Sequence, residues 1–178
     1  MEIKYRDELN TGDILLFRRS TKQETLSWYE YIEGFLTWII GAATESPFTH
    51  VGIVVKDPEF IDKKGLYVLE STYEGLPDSE DGKIKLGVQL IPIEECFANN
   101  YSDIYWRKLD CVRDESFYNK WNDIHKVTHN KPYDILITDW IKALFKWNIG
   151  DTHKTNTFWF SALAAYIYCQ LGFLKQDI

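Results

Sequence analysis

The stretch Phe48-Thr-His-Val-Gly-Ile-Val-Val55 is the part of the sequence that decides the fold. Its valines and isoleucine are typical of a buried β-strand, because β-branched side chains pack well on a pleated surface. Pro47 ends the segment before it, and Asp57-Pro58 begins a turn after it. The next apolar run, Leu66-Tyr-Val-Leu-Glu-Ser-Thr72, predicts a second strand that follows after a short connection.

Two polar residues lie in unusual places in these strands. His50 begins an apolar run, and Gly52, on the same face of the strand, leaves room for another group to approach. Glu70 shares one side of its strand with Leu66 and Val68. If the two strands are neighbours, Glu70 can accept a hydrogen bond from the His50 imidazole and fix its tautomer. On spacing alone, a structural pair at the end of a sheet is the slightly simpler interpretation.

Further strands and helices complete an α+β pattern. Three more segments predict strands: Thr11–Arg18, Gly87–Ile93 with Pro92 marking an edge or an end, and Asp103–Leu109. Short connections favour an antiparallel sheet of about five strands, and the acidic segment from Tyr73 to Leu86 predicts a long loop. Helical spacing predicts helices over Glu24–Ala43, after the Asp114 cap, and over Ile135–Trp147, with a break at Lys131-Pro-Tyr-Asp134. We expect helices packed against one sheet, in a single domain over residues 1–178.

The aromatic segment Glu24–Ala43 has two interpretations. Its Trp28, Phe35 and Trp38 fall on one helical face, which a core helix explains best. A wall of an apolar substrate channel is the alternative.

The C-terminal run from Thr155 to Gly172 predicts one further helix. Asn156 and Thr157 are good N-cap residues, and Gly172 is a good residue to end the helix. One face carries an apolar stripe: Phe160, Leu163, Ala164, Ile167 and Leu171. The N-terminus of such a helix favours a thiolate or an oxyanion, because its free N–H groups carry partial positive charge.

Composition excludes several classes of protein. Of the 178 residues, 45% are hydrophobic and 16% aromatic, which excludes a disordered chain. The formal net charge is −7 and no segment gathers basic residues into a stripe, so nucleic acid is not an expected partner.

Cysteine usage and hydropathy favour a cytoplasmic protein. Cys96, Cys111 and Cys169 form no CxxC pair and no disulfide framework, which indicates a reducing compartment. The first residues lack the apolar stretch of a signal peptide. The run Phe35–Ala43 is too short to span a bilayer, so membrane contact, if any, is expected to be peripheral.

The histidines give only a weak metal signal. His125 and His129 are four residues apart on a predicted helix, which is metal-ligand spacing. The sequence offers no obvious third ligand nearby, so a helix-face histidine and a surface histidine explain the pair better. His153 falls in a polar loop. We therefore expect no metal and no cofactor.

Six blocks of sequence, in this order, carry a family resemblance: Thr11-Gly-Asp-Ile-Leu-Leu-Phe17, Phe48–Val55, Val68-Leu-Glu-Ser-Thr72, Gly87-Val-Gln-Leu-Ile-Pro-Ile93, Lys131-Pro-Tyr-Asp134 and Phe158-Trp-Phe-Ser-Ala-Leu-Ala-Ala-Tyr166. Together they resemble the circularly permuted branch of the NlpC-like papain-fold superfamily, with its YiiX-like and lecithin:retinol acyltransferase-like groups. The resemblance runs from about Gly12 to Gly172. It implies a permuted papain-like fold and a cysteine peptidase, amidase or acyl-ester hydrolase or transferase.

The resemblance also assigns roles to residues. It implies that His50 is the general base and that Glu70 orients it. The family's nucleophile is a cysteine at the start of the C-terminal helix, where this chain has Phe160. The implied substrates are peptides, small amides or lipid acyl groups.

Phe160 departs from the family at the position that matters most, because a phenyl ring has no nucleophilic atom. Ser161 is turned about 100° around the helix, and Cys169 is more than two turns away. Cys111 follows a strand and has no motif around it. We expect the chain to be inactive as written, whether Phe160 is native or an introduced substitution. The alternative is a non-catalytic module that binds a peptide or a lipid tail in the former cleft.

Overall fold

One five-stranded antiparallel sheet organises the protein, with helices on both of its faces. The structure is a computed structural model that describes residues 6–19, 48, 50–72, 76–98, 101–129 and 160–174. The helices predicted over residues 24–43 and 135–147, the break at residues 131–134, the caps at residues 156–157 and His153 lie outside these residues. The predicted α+β class is confirmed.

The five strands are those that the sequence predicts. They are β1 (Ile14–Arg19), β2 (His50–Lys56), β3 (Leu66–Thr72), β4 (Gly87–Pro92) and β5 (Tyr101–Arg107). Every neighbouring pair is antiparallel, and the spatial order is β4-β3-β2-β1-β5. β4 is an edge strand, as Pro92 predicted, because a proline cannot donate to a second neighbour.

Three α-helices accompany the sheet: α1 (Ile93–Ala98), α2 (Glu115–Thr128) and α3 (Phe160–Leu171). A short 3-10 helix, Arg6–Glu8, precedes β1. The Asp114 carboxylate caps α2 by accepting a 2.9 Å hydrogen bond from the Phe117 amide. α1 was not predicted, because six residues that follow a strand directly give too little periodicity to detect. None of the helices described here is long and apolar enough to cross a bilayer.

α3 ends as its sequence predicts. Gly172 has φ of +87°, a left-handed conformation that glycine adopts without steric cost. The amides of Gly172 and Phe173 donate to the carbonyls of Cys169 and Tyr168, at 3.0 and 2.9 Å. These two bonds form a Schellman motif, which satisfies carbonyls that the helix end leaves unpaired.

The two faces of the sheet have separate apolar cores. On the first face, α2 and α3 pack on the sheet through the helix-side cluster: Ile53, Val55, Tyr67, Leu69, Val88, Leu90, Leu109, Phe117, Trp121, Ile124, Leu163, Ile167 and Leu171. On the second face, α1 packs on the strands through the opposite cluster: Leu9, Leu15, Phe17, Val54, Leu66, Val68, Ile91, Ile93 and Cys96. Side chains alternate along a strand, so His50 and Gly52 share the second face with Val54.

A fully buried carboxylate ties the start of β1 to β5 and to the segment before α2. Asp13 accepts hydrogen bonds from Trp106 Nε1 and from the Leu109 amide, both at 2.9 Å. It also pairs with Arg113, whose guanidinium lies 2.8 Å away. Because both carboxylate oxygens have partners, Asp13 is a structural anchor of the fold.

Candidate functional site

His50 and Glu70 meet on the second face of the sheet. His50 Nε2 lies 2.7 Å from Glu70 Oε2, and the side chains are 7% and 0% exposed. β2 pairs with β3 in the register that sets Ile53 opposite Leu69, so Glu70 lies diagonally across from His50. The expectation that the two strands are neighbours and that Glu70 reaches the imidazole is confirmed.

Gly52 allows the strands to approach at this point. A Cβ at position 52 would lie 2.3 Å from Val68 Cγ1, which is closer than real Cβ atoms come to their neighbours. The same Cβ would lie 3.8 Å from the Glu70 Cβ. A larger residue would therefore push β3 away and separate Glu70 from His50.

An aromatic ring and a thiol enclose the pair. The Phe17 ring lies 5.3 Å from the His50 ring, centroid to centroid, at an angle of 41°. Cys96 of α1 places its Sγ 3.9 Å from Glu70 Oε2. Sequence reasoning missed Cys96 because it missed α1. Such an enclosed setting strengthens electrostatic interactions within the pair.

A third polar side chain, Gln89, lies beside Glu70. Gln89 of β4 pairs directly with Glu70 of β3, so the two side chains share the second face. Gln89 is fully buried, and neither of its side-chain polar atoms has a hydrogen-bond partner among the described residues. Glu70 Oε1 likewise has no described partner. The signal that could have found Gln89 is the one that found Glu70: a polar residue inside an apolar strand.

The hydrogen bond to Glu70 decides which nitrogen of His50 can act. With Nε2 held by the carboxylate, proton transfer to another molecule would use Nδ1. Glu70 would also stabilise the imidazolium that forms when His50 takes up a proton. The carboxylate therefore fixes the orientation and the tautomer of the His50 ring.

Phe160 is the first residue of α3, where the family resemblance requires the start of the C-terminal helix. The buried residues of α3, Leu163 and Ile167, belong to the helix-side cluster. Tyr168, near the C-terminal end of α3, donates a 2.7 Å hydrogen bond to the Gly12 carbonyl, so α3 runs towards the start of β1 and begins at Phe160 away from it. His50 lies on the face of the sheet opposite the buried stripe of α3.

Of the other candidate nucleophiles, Cys111 lies on the face of the sheet opposite His50. Cys111 is partly buried against the helix-side cluster, and Cys169 is a partly buried residue of α3. The side chain of Ser161 lies outside the described part of the chain.

The remaining pair of histidines has a partner that the sequence did not reveal. Glu80 Oε2 lies 2.8 Å from His125 Nε2 and 3.3 Å from His129 Nε2. The surface histidine expected in this pair is not found, because His125 is buried and the side chain of His129 is only 16% exposed. The expectation that no third ligand lies nearby is corrected, because the fold brings together residues 45 apart in the chain.

Burial shifts the titration of this group. It lowers the pKa of His125 to about 4, and the neighbouring His129 adds to the effect. Burial also lowers the pKa of His129 and raises the pKa of Glu80. Both imidazoles are therefore neutral at pH 7, and the contact between His125 and Glu80 is a hydrogen bond of a neutral ring rather than an ion pair.

Comparison with known proteins supports the fold. The chain matches no family model, and no curated protein matches it in sequence. Among solved structures it is similar to a protein described as metalloprotein YiiX from Escherichia coli O157:H7, with a TM-score of 0.53 and 19% sequence identity. The match covers 90% of this chain but 64% of that chain, so this chain spans less than two thirds of the length of YiiX. The protein has a YiiX-like fold.

Proposed function

We propose that this is a permuted papain-like domain of the cysteine hydrolase type, in which His50 is the general base and Glu70 orients it. As written, the chain is inactive, because Phe160 occupies the nucleophile position. The observation that carries the proposal is the buried 2.7 Å contact between His50 Nε2 and Glu70 Oε2. The YiiX-like fold and the start of α3 at Phe160 support it.

The chemistry explains why one residue decides activity. In a cysteine hydrolase the base withdraws the thiol proton, and the thiolate attacks the carbonyl carbon of a peptide, an amide or an acyl ester. The helix N-terminus stabilises the thiolate and the oxyanion that forms on the substrate. Phe160 supplies neither a proton nor a lone pair, so no acyl-enzyme forms.

Restoring a cysteine at position 160 tests this proposal. We expect Phe160→Cys to be acylated by p-nitrophenyl acetate, as seen by intact mass, and the added His50→Ala substitution to slow acylation by about 100-fold or more. Ser161→Cys is the matched control, since its thiol is one residue further along the same helix. If Phe160→Cys reacts no faster than Ser161→Cys, or if the unmodified chain reacts in a way that depends on His50, the proposal fails.

One observation favours a second candidate, a non-catalytic domain that binds a peptide or a lipid acyl chain. The His50–Glu70 pair lies on the face opposite the buried stripe of α3, and His50 is 7% exposed. A base so enclosed has little access to a substrate held at the start of α3. This candidate predicts saturable binding of a fluorescent fatty acid or of an unstructured peptide, unchanged by Phe160→Cys.

We further propose that residues 1–178 form one domain and that it resides in the cytoplasm. Cys96, Cys111 and Cys169 form no disulfide bond. This usage of cysteine is typical of proteins in a reducing compartment.

A further inference from the structure

Glu80, His125 and His129 form a cluster that the proposed hydrolase chemistry does not use. Each residue offers one ligand atom, and the three ligand atoms all lie within 4.8 Å of one another. Glu80 comes from the connection between β3 and β4, whereas the histidines lie at the C-terminal end of α2. Two separate elements thus direct nitrogen and oxygen lone pairs at one point.

The connection that carries Glu80 is a shaped turn. The fully buried carboxylate of Asp78 accepts hydrogen bonds from the Glu80 amide at 2.7 Å and from the Leu90 amide at 3.1 Å. The Gly82 amide donates to the Asp78 carbonyl at 2.8 Å. Glu80 is therefore held by backbone contacts that do not depend on its own carboxylate.

The histidines are equally well placed. His125 and His129 are separated by one helical turn, so their side chains leave the same face of α2. The Phe60 ring stacks on His125 with centroids 3.6 Å apart and planes 6° from parallel, which fixes the plane of the imidazole. The side chains of Glu80 and His129 are 22% and 16% exposed, so a small ion can enter from their side.

The donor set is that of a transition-metal site, and the two separations from Glu80 Oε2 are close to those that a metal ion sets between its ligands. Two neutral imidazoles and one carboxylate suit Zn²⁺, whose bonds of about 2.0–2.1 Å in a tetrahedron set ligand atoms about 3.3–3.4 Å apart. Glu80 and His129 already meet that separation at 3.3 Å, and the 2.8 Å contact between Glu80 and His125 needs to open by only about half an ångström. We propose that Glu80 Oε2, His125 Nε2 and His129 Nε2 bind one divalent transition-metal ion, with Zn²⁺ the expected occupant.

Three protein ligands leave one coordination position for water. The ion would join the connection between β3 and β4 to the end of α2, so its role in this chain is to brace these two elements. Neither element contributes to the His50–Glu70 pair, and the proposal is independent of the hydrolase chemistry.

Two neighbours limit the affinity of this site. Lys85 Nζ lies 3.5 Å from His129 Nε2 and opposes a second positive charge, although its contacts of 2.9 and 3.4 Å with Asp78 and Asp81 offset that repulsion. Metal binding through Nε2 puts the His125 proton on Nδ1, which is buried without a hydrogen-bond partner among the described residues. Lack of such a partner typically weakens a metal site about 10- to 100-fold.

Titration of the metal-free protein tests the proposal. The full chain is stripped with a chelator, dialysed, and titrated with Zn²⁺ by calorimetry and with Co²⁺ by visible absorption. We expect one ion per chain and the intense visible bands of Co²⁺ in a low-symmetry site. Glu80→Gln and His129→Gln should each weaken Zn²⁺ binding by about 10-fold or more, since each removes one of three ligands. Lys85→Met should strengthen it.

Glu115→Gln is the matched control, because it makes the same change of side chain on the exposed first turn of α2. It should bind Zn²⁺ as the unmodified chain does. Circular dichroism of each variant verifies that the helices are intact. Absence of a stoichiometric ion, or equal Zn²⁺ affinity in Glu80→Gln, His129→Gln and the unmodified chain, would overturn the proposal.

Discussion

The protein contains two histidine–glutamate contacts of nearly equal length in different settings. His50 and Glu70 are 2.7 Å apart on neighbouring strands, and the glutamate side chain is fully buried. His125 and Glu80 are 2.8 Å apart between a helix and a turn, and the glutamate side chain is 22% exposed. Distance alone does not distinguish the two pairs.

The two pairs differ in the secondary-structure element that carries the carboxylate. Glu70 is fixed in a strand, and only one histidine reaches it among the described residues, which suits a pair that orients an imidazole. Glu80 lies on a turn beside a second histidine, which suits capture of an ion. The same two residue types therefore suit different chemistry, according to how many lone pairs converge and whether solvent reaches them.

The largest expected loss of stability comes from removing the histidine of the His50–Glu70 pair. His50→Ala leaves the Glu70 carboxylate in a fully buried place without its partner, which costs about 3–5 kcal/mol in free energy of unfolding. His129→Ala is the comparison, because Glu80 keeps His125 and some exposure to water, and it should cost about 1 kcal/mol. Urea denaturation measures both. Equal losses would remove the distinction between the two pairs.

Acid should destabilise the protein through the pair formed by His125 and Glu80. The folded-state pKa of His125 is lowered to about 4 from 6.5, so the unfolded chain binds more protons below pH 6.5. Stability is full above pH 6.5 and falls as the pH drops towards 4, by about 3 kcal/mol in all. The raised pKa of Glu80 acts in the opposite direction where that carboxyl titrates, so the slope of the free energy of unfolding against pH above that region is the cleaner measure.

That slope is measured by urea denaturation in the presence of a chelator. His125→Gln should remove most of it, since a glutamine does not titrate. A slope that stays the same in His125→Gln would contradict the assignment to His125.

Zinc should stabilise the folded protein by binding to Glu80, His125 and His129, and not to the His50–Glu70 pair. At a free Zn²⁺ concentration about 100 times the dissociation constant, binding adds about 2.7 kcal/mol to the free energy of unfolding. For a chain of this size that raises the melting temperature by about 5–10 °C. Scanning calorimetry should show this rise in the unmodified chain and in His50→Ala, but not in Glu80→Gln. A rise in melting temperature that is lost in His50→Ala would show that the ion binds at His50 and Glu70 instead.

The smallest effect is expected at an exposed pair that serves as a baseline. Lys126 and Asp123 are 2.9 Å apart on α2, with side chains 72% and 76% exposed. Asp123→Asn should change the free energy of unfolding by no more than about 0.5 kcal/mol, because water and salt screen such pairs. A larger loss in urea would show that α2 itself is fragile, and the effects at His125 and His129 would then need to be corrected for it.

The sequence predicted the parts of the molecule that depend on local patterns. All five strands, α2 with its Asp114 cap and the end of α3 at Gly172 follow from alternation, helical spacing and capping chemistry. The contact between His50 and Glu70 was also predictable, because polar residues stand out in apolar strands that are neighbours along the chain. The placement of His50 and the C-terminal helix on opposite faces of the sheet was not predictable, because no local pattern indicates which face the helix covers.

Contacts between segments that are distant along the chain could not be predicted from the sequence. Glu80 falls in the acidic segment that predicts a long loop, and only the turn shaped by Asp78 brings it to α2. The position of Cys96 beside Glu70 was not predicted, because Cys96 lies on α1, a helix of six residues that has too few turns to show a hydrophobic period. In both cases the partner was chosen by tertiary packing and not by local propensity.

We propose that His50 is a general base that would serve a thiol at position 160. The most direct measurement is the rate of alkylation of Phe160→Cys by iodoacetamide as a function of pH, with and without His50→Ala. Cys96, Cys111 and Cys169 are accounted for by subtracting the rate of the unmodified chain. We expect a thiol pKa well below the usual value of about 8.5 in Phe160→Cys, and a return to that value when His50→Ala is added. An ordinary thiol pKa that is unaffected by His50→Ala would contradict the claim.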